Sequence, residues 1–257
     1  TLAALGSSVP PLPMIGCKRA YAKSILTRMG VAGRRPDAIV MIDHGPWGDF
    51  WATVAQRREG TMVAQYAASL ACAGEGLALF NMLRGQNVPV CPIRRAAVFA
   101  CLQASNASGR AVQVRAGQWV THGYAHLSGA ARRKGFKERL RPARVVQRIE
   151  CMAGVDWPEV IVHTTDARHT AVDPAPGDVV IIDPPYARTT GYGAHDLDRA
   201  GVIKFADMAA RNGARVAVCE GEPIQIDGWH SARVEGASWQ KRTMGKRREW
   251  ITTSEPQ

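Results

Sequence analysis

The stretch Val179-Val180-Ile181-Ile182-Asp183-Pro184-Pro185-Tyr186 decides how this chain is read. Four β-branched residues in a row are the pattern of a parallel strand buried on both faces. Two consecutive prolines end it, because the first forces Asp183 into an extended conformation and neither can donate to a ladder. The strand therefore stops at Asp183 and presents that carboxylate and the Tyr186 ring at its C-terminal edge, where open α/β sheets bind ligands. A carboxylate, a prolyl carbonyl and an aromatic ring make two acceptors and a stacking surface. That set suits a planar base carrying an exocyclic amino group. A bare D-P-P turn is also how an ordinary strand runs into a loop, so the flanks have to carry the argument.

On both sides the apolar rhythm alternates between strand and helix. Tyr21, Ala22, Ile25, Leu26 and Met29 recur at helical spacing until Gly30. Ala38–Ile42 reads as a buried strand closed by Asp43, followed by the turn His44-Gly45-Pro46-Trp47-Gly48 and an aromatic helix start at Phe50. Residues 62–83 carry an Ala/Leu-rich helical pattern broken at Gly74 and Gly76. From Val88 to Gln147 the periodicity is poor and basic residues accumulate. The rhythm resumes at Val160–His163, passes through Val179–Ile182 and the amphipathic Leu197–Arg211, and reaches Arg215–Cys219, which Glu220 and Glu222 follow. The expectation is an α/β fold with a mostly parallel sheet and helices on both faces. Residues 1–87 and 150–257 would form its core, and 88–149 an insertion.

The length of 257 residues suits one core with a small subdomain. No apolar stretch approaches the ~20 residues that span a bilayer, and the first residues do not follow a signal-peptide pattern. The six cysteines lack the spacing of a zinc site, so no metal is expected, and they read as reduced, mostly buried thiols of a cytoplasmic protein. A net charge of +11 points to a polyanionic partner. Eight cations, Arg132, Arg133, Lys134, Lys137, Arg139, Arg141, Arg144 and Arg148, face the single acid Glu138 over one short run. Such runs are commonly solvated faces. This one is internal and follows Trp119, Tyr124 and Phe136, which is closer to a nucleic-acid footprint. Lys241, Arg242, Lys246, Arg247 and Arg248 form a second basic cluster.

Asp183-Pro184-Pro185-Tyr186 resembles the catalytic motif of amino-group DNA methyltransferases, in the form usual among adenine-N6 enzymes. Pro11-Leu12-Pro13-Met14-Ile15-Gly16-Cys17-Lys18-Arg19 is similar to the P-F-x-K-W-x-G-G-K-R signature of the Dam-type adenine methyltransferases, with Met14 standing where the family has Trp. Arg247–Thr253 resembles that family's closing strand, and these pieces follow the family's order over nearly the whole chain. More loosely, the middle segment resembles the Dam-type proteins of bacteriophages and prophages, which would place the protein in a bacterial host's cytoplasm.

The resemblance implies a Rossmann-like methyltransferase core with an inserted DNA-recognition region, S-adenosyl-L-methionine as methyl donor, and DNA as partner, acting as a monomer or weak dimer. It assigns Asp183, Pro184, Pro185 and Tyr186 to catalysis, holding a flipped adenine whose N6 hydrogens go to the Asp183 carboxylate and the Pro184 carbonyl. Met14, Gly16, Lys18, Asp43, Gly45, Gly48 and Asp166 would line the donor pocket. Here the glycine loop departs from the family's [DE]-P-F-x-G-x-G, and the acid expected after the next strand has no clear counterpart, Glu59 being a poor one. Asp166, in Thr165-Asp166-Ala167, matches the family's adenine-contacting acid, although a lone Asp after a strand is equally a cap or turn residue. Asn106 and Arg110 fall near the family's target-base region. With Arg132, Arg133, Lys134, Lys137, Arg139, Arg141 and the flap residue Tyr192 they make the expected DNA contacts. Two alternatives stand beside this reading. One is transfer to another amino group, on cytosine-N4 or an RNA base. The other is a methyltransferase fold that binds nucleic acid and has lost its donor.

Overall fold

A computed structural model describes residues 19–43, 45–74, 76–106, 111–124, 142–164, 170–184, 199–234 and 249–254. It is a mixed α/β structure in which the described residues form seven helices and three small sheets. Residues 19–34 and 171–254 belong to one compact unit and residues 35–170 to another. That division differs from the expected core with an 88–149 insertion.

The first unit contains α1 (Arg19–Arg28), β5 (Val179–Ile182), α7 (Arg199–Arg211), β6 (Arg215–Glu220), β7 (His230–Val234) and β8 (Glu249–Thr253). The strands run in the order β5-β6-β8-β7. β5 and β6 are parallel, while β8 pairs antiparallel with both β6 and β7. The expected closing strand thus enters the sheet as an antiparallel element. Period-two alternation sends Ala217 and Cys219 to one face, against Ile25 of α1 and Met29 just beyond it, and Val216 and Val218 to the other, against Ala206 and Ala209 of α7. Within this unit the sheet has a helix on each face.

Both helices stop where the glycines predict. At the end of α1 the Gly30 N–H donates to Thr27 O and the Val31 N–H to Leu26 O, with Gly30 at φ 65°. At the end of α7 the Gly213 N–H donates to Ala210 O and the Ala214 N–H to Ala209 O, with Gly213 at φ 89°. Each is a Schellman closure, in which a left-handed glycine lets the last carbonyls find donors. One expectation is corrected here. β5 is half-buried, not buried on both faces: Val180 and Ile182 pack on the α7 side, while Val179 and Ile181 are 36% and 39% exposed.

The second unit is mostly helical. It holds β1 (Ala38–Ile42), α2 (Pro46–Val54), α3 (Arg57–Ala73), α4 (Gly76–Arg84), α5 (Pro92–Ser105), the hairpin β2 (Gln113–Arg115) and β3 (Gln118–Val120), α6 (Pro142–Ala153) and β4 (Glu159–His163). β1 and β4 pair in parallel from Ala38↔Glu159 to Ile42↔His163. Its core gathers Phe50, Val54, Phe80, Leu83, Phe99, Leu102 and Ile149. Trp47 meets Phe99 edge-on at 5.0 Å, and Phe99 stacks on Trp119 at 6.4 Å.

Helix α5 shows why the sequence reads as aperiodic from Val88 onward. Its residues 96–104 are all buried, so it has no polar face and leaves no 3.6-residue signature in the sequence. It belongs to the core of this unit. The segment 111–124 that follows is tied to it by side chains: Gln103 Oε1 accepts the Val112 N–H and Asn106 Oδ1 the His122 N–H, each at 2.8 Å.

Candidate functional site

Asp183 and Pro184 stand at the C-terminal end of β5, Asp183 exposed and Pro184 buried. The last ladder pair is Ile182↔Val218, so the chain leaves the sheet beside the end of β6. Pro185, Tyr186 and Tyr192, the other expected parts of this pocket, lie outside the described residues. On the neighbouring strand, Glu220 is 2% exposed and its Oε2 accepts the Gly221 N–H at 2.9 Å. It closes its strand with an acid, the same sequence signal that picked out Asp43 and Asp183.

In the other unit, Asp43 follows β1 half-buried, and its N–H donates to His163 O at 3.1 Å. The chain then turns at Gly45, whose φ of 83° suits glycine, and Pro46 takes the first helical position of α2. The segment 46–48, expected as a turn, is the first turn of the helix. Gly45 caps it without a side-chain hydrogen bond of its own, and the positive end of a helix favours an anion. Gly48 is buried in that turn, and a Cβ there would run into the Asp43 carbonyl and lie 3.2 Å from Thr164 Cγ2. A strand end, a helix start and the end of β4 therefore converge on one small backbone-lined corner.

The stretch after this corner is helical, as its Ala/Leu pattern suggests. Residues 57–73 are helical, with Glu59 in the first turn of α3, and β4 takes the place beside β1. Met14, Gly16, Lys18 and Asp166 lie outside the described residues, as do Arg110, Arg132, Arg133, Lys134, Lys137, Arg139 and Arg141. Asn106 is described and is 2% exposed, with its side chain holding the 111–124 segment in place.

Two grooves among the described residues lie elsewhere. One of about 360 Å³ is lined by Asp49, Thr53, Glu59, Ile93 and Arg95, and one of about 490 Å³ by Arg57, Arg58, Thr61, Met62 and Gln65. Neither includes Asp43 or Asp183, and neither joins a strand end to a chemically suited set of acceptors. Among the described residues no cluster of His, Cys, Asp and Glu could hold a metal ion, and no single helix is long and apolar enough to cross a membrane. The expectation of mostly buried thiols is corrected as well: Cys72, Cys91 and Cys151 are exposed, and Cys101 and Cys219 buried. No protein-family model and no curated protein matches the chain.

Proposed function

We propose that this protein transfers a methyl group from S-adenosyl-L-methionine to the N6 amino group of adenine in DNA, on a Rossmann-like core. The observation that carries the reading is Asp183-Pro184 at the C-terminal end of a parallel strand, opening the sequence D-P-P-Y. An adenine amino nitrogen is a poor nucleophile because its lone pair is delocalised into the ring. Accepting one N–H on the Asp183 carboxylate and the other on the Pro184 carbonyl pushes that nitrogen toward tetrahedral geometry. The lone pair then needs only in-line placement, with reacting atoms about 3–3.5 Å apart. Reaching a paired adenine requires extruding it, at a few kcal/mol. Stacking on Tyr186 returns about 1–3 kcal/mol of that cost.

The corner at Asp43, Gly45 and Gly48 fits the methionine end of the donor. It offers a carboxylate for the amino group, the N-terminal end of α2 for the carboxyl, and a backbone approach that a Cβ at Gly48 would close. The donor, when bound, supplies an electrophilic methyl on a sulfonium. Asp183→Ala tests the reading: tritiated methyl incorporation into DNA should vanish while DNA affinity and melting temperature hold. Full incorporation by that variant sinks it.

A second reading, a nucleic-acid-binding protein without donor affinity, draws support from the departure of the glycine loop from the family's pattern. Calorimetric titration with S-adenosyl-L-methionine separates the two, since only the first predicts binding heat that Asp43→Ala weakens.

A further inference from the structure

The reaction as outlined leaves one acid at the Asp183 sheet edge unused. Glu220 closes β6, the parallel neighbour of β5, and is the only fully buried acid among the described residues. Ile182↔Val218 is the last pair of the ladder, and Pro184 and Glu220 each lie two residues beyond it on their own chain segment, both buried. Alternation puts Glu220 on the face of Val216 and Val218, the α7-covered side on which Val180 and Ile182 of β5 also pack. Glu220 is fixed there by the Gly221 N–H on Oε2 and by its place opposite Trp250 of β8. Burying a carboxylate is costly, and a neutral residue would close this strand more cheaply. Buried acids at a sheet's ligand-binding edge are where function repays that cost.

We infer that Glu220 is a positioning residue of the methyl-transfer site, a second carboxylate at the Asp183 sheet edge that favours positive charge on the attacking nitrogen. The inference rests on the methyltransferase reading. In the step concerned, the amino lone pair forms the new N–C bond while the C–S bond breaks and its electron pair stays on sulfur. The nitrogen is then cationic until its surplus proton leaves through the Asp183 carboxylate to water. A carboxylate fixed at that edge stabilises that cation without reorganising, as preorganised electrostatics require.

The test compares the parent protein, Glu220→Gln, Glu220→Asp and Asp183→Ala in methyl transfer from tritiated S-adenosyl-L-methionine to DNA, with melting temperatures taken alongside. Glutamine keeps the volume and an oxygen for the Gly221 N–H, and the melting temperature reads any structural loss separately from kcat. The expected result is a kcat lowered roughly 10- to 100-fold in Glu220→Gln. KM should stay within about twofold for both substrates, and Glu220→Asp should recover part of the rate. Rates are compared at equal folded fraction. Parent-level kcat in Glu220→Gln, or a loss that Glu220→Asp shares in full, overturns the inference while leaving the methyltransferase reading intact. A parent protein that transfers no methyl overturns that reading, and the inference with it.

Discussion

Gly48 lies directly against the main-chain carbonyl of Asp43, so closely that no side-chain carbon fits between the end of β1 and the first turn of α2. The glycine lets the helix start immediately above the strand end, which brings Asp43 and the N-terminal end of α2 to one corner. Gly48→Ala should therefore move the helix off the strand, at a cost of about 1–3 kcal/mol in stability. Under the donor assignment it should also weaken S-adenosyl-L-methionine binding. Asp43→Ala should weaken binding by about one to two orders of magnitude, as for a lost hydrogen bond to a charged group, at temperatures where the variant is fully folded. Denaturant melts and calorimetry on the two variants check the split. Parent-like donor binding in both would place the pocket elsewhere.

Asn106 makes an opposite prediction to the one its sequence context suggests. It is buried, and its Oδ1 accepts the His122 N–H. Removing that acceptor in Asn106→Ala strands a partly buried donor, at about 1–3 kcal/mol. The variant should melt earlier, and its DNA affinity, measured well below its melting point, should match the parent's. A selective loss of DNA affinity with normal stability would restore the base-contact role.

How far the sequence could be read depended on what left a periodic mark. Strands β1, β4, β5 and β6 were legible as short apolar runs closed by a polar residue, and α1 and α7 by their stripes and terminal glycines. Helix α5 was not, because Ala96 to Ala104 are buried on every side and no polar face interrupts them. The hairpin at 113–120 was also missed. Its turn uses Ala116 at φ 48° before Gly117 at φ 73°, and alanine carries no turn signal of the Asn-Gly kind. At the Asp43 corner the sequence identified Gly45 and Gly48 but not their division of labour, since Pro46 opens a helix as readily as it shapes a turn.

The cysteines should separate sharply in reactivity. Cys91 is exposed at the start of α5, where the backbone N–H of Arg94 chiefly, with help from the N–H of Ile93 and the charges of Arg94 and Arg95, lowers its pKa. Burial pushes Cys101 up to about 12. At neutral pH iodoacetamide should label Cys91 ahead of Cys72 and Cys151, and leave Cys101 untouched until the protein unfolds. Cys101 also sets a sign for alkaline stability. Its folded pKa lies above the ordinary 9.0, so the folded state keeps a proton that the unfolded chain releases. Stability should be fully present below pH 9 and decline between pH 9 and about 12, a decline that Cys101→Ala removes. Mass-resolved labelling and melts across that range decide both points.

The remaining prediction rests on charge density alone. If Arg132, Arg133, Lys134, Lys137, Arg139 and Arg141 face DNA, several should neutralise phosphates. Each such contact adds roughly −0.9 to the slope of log affinity against log salt. Changing Arg132, Arg133 and Lys134 to Glu should flatten that slope and lower affinity for all sequences alike, because phosphate contacts position a protein without specifying a base. The Asp183 chemistry predicts a different pattern for its own variants, with turnover lost and the salt slope kept. Measuring affinity at four or five salt concentrations for both sets separates grip from catalysis. An unchanged slope in the triple variant would make the run a solvated face, and the phosphate contacts would then fall to Lys241, Arg242, Lys246, Arg247 and Arg248.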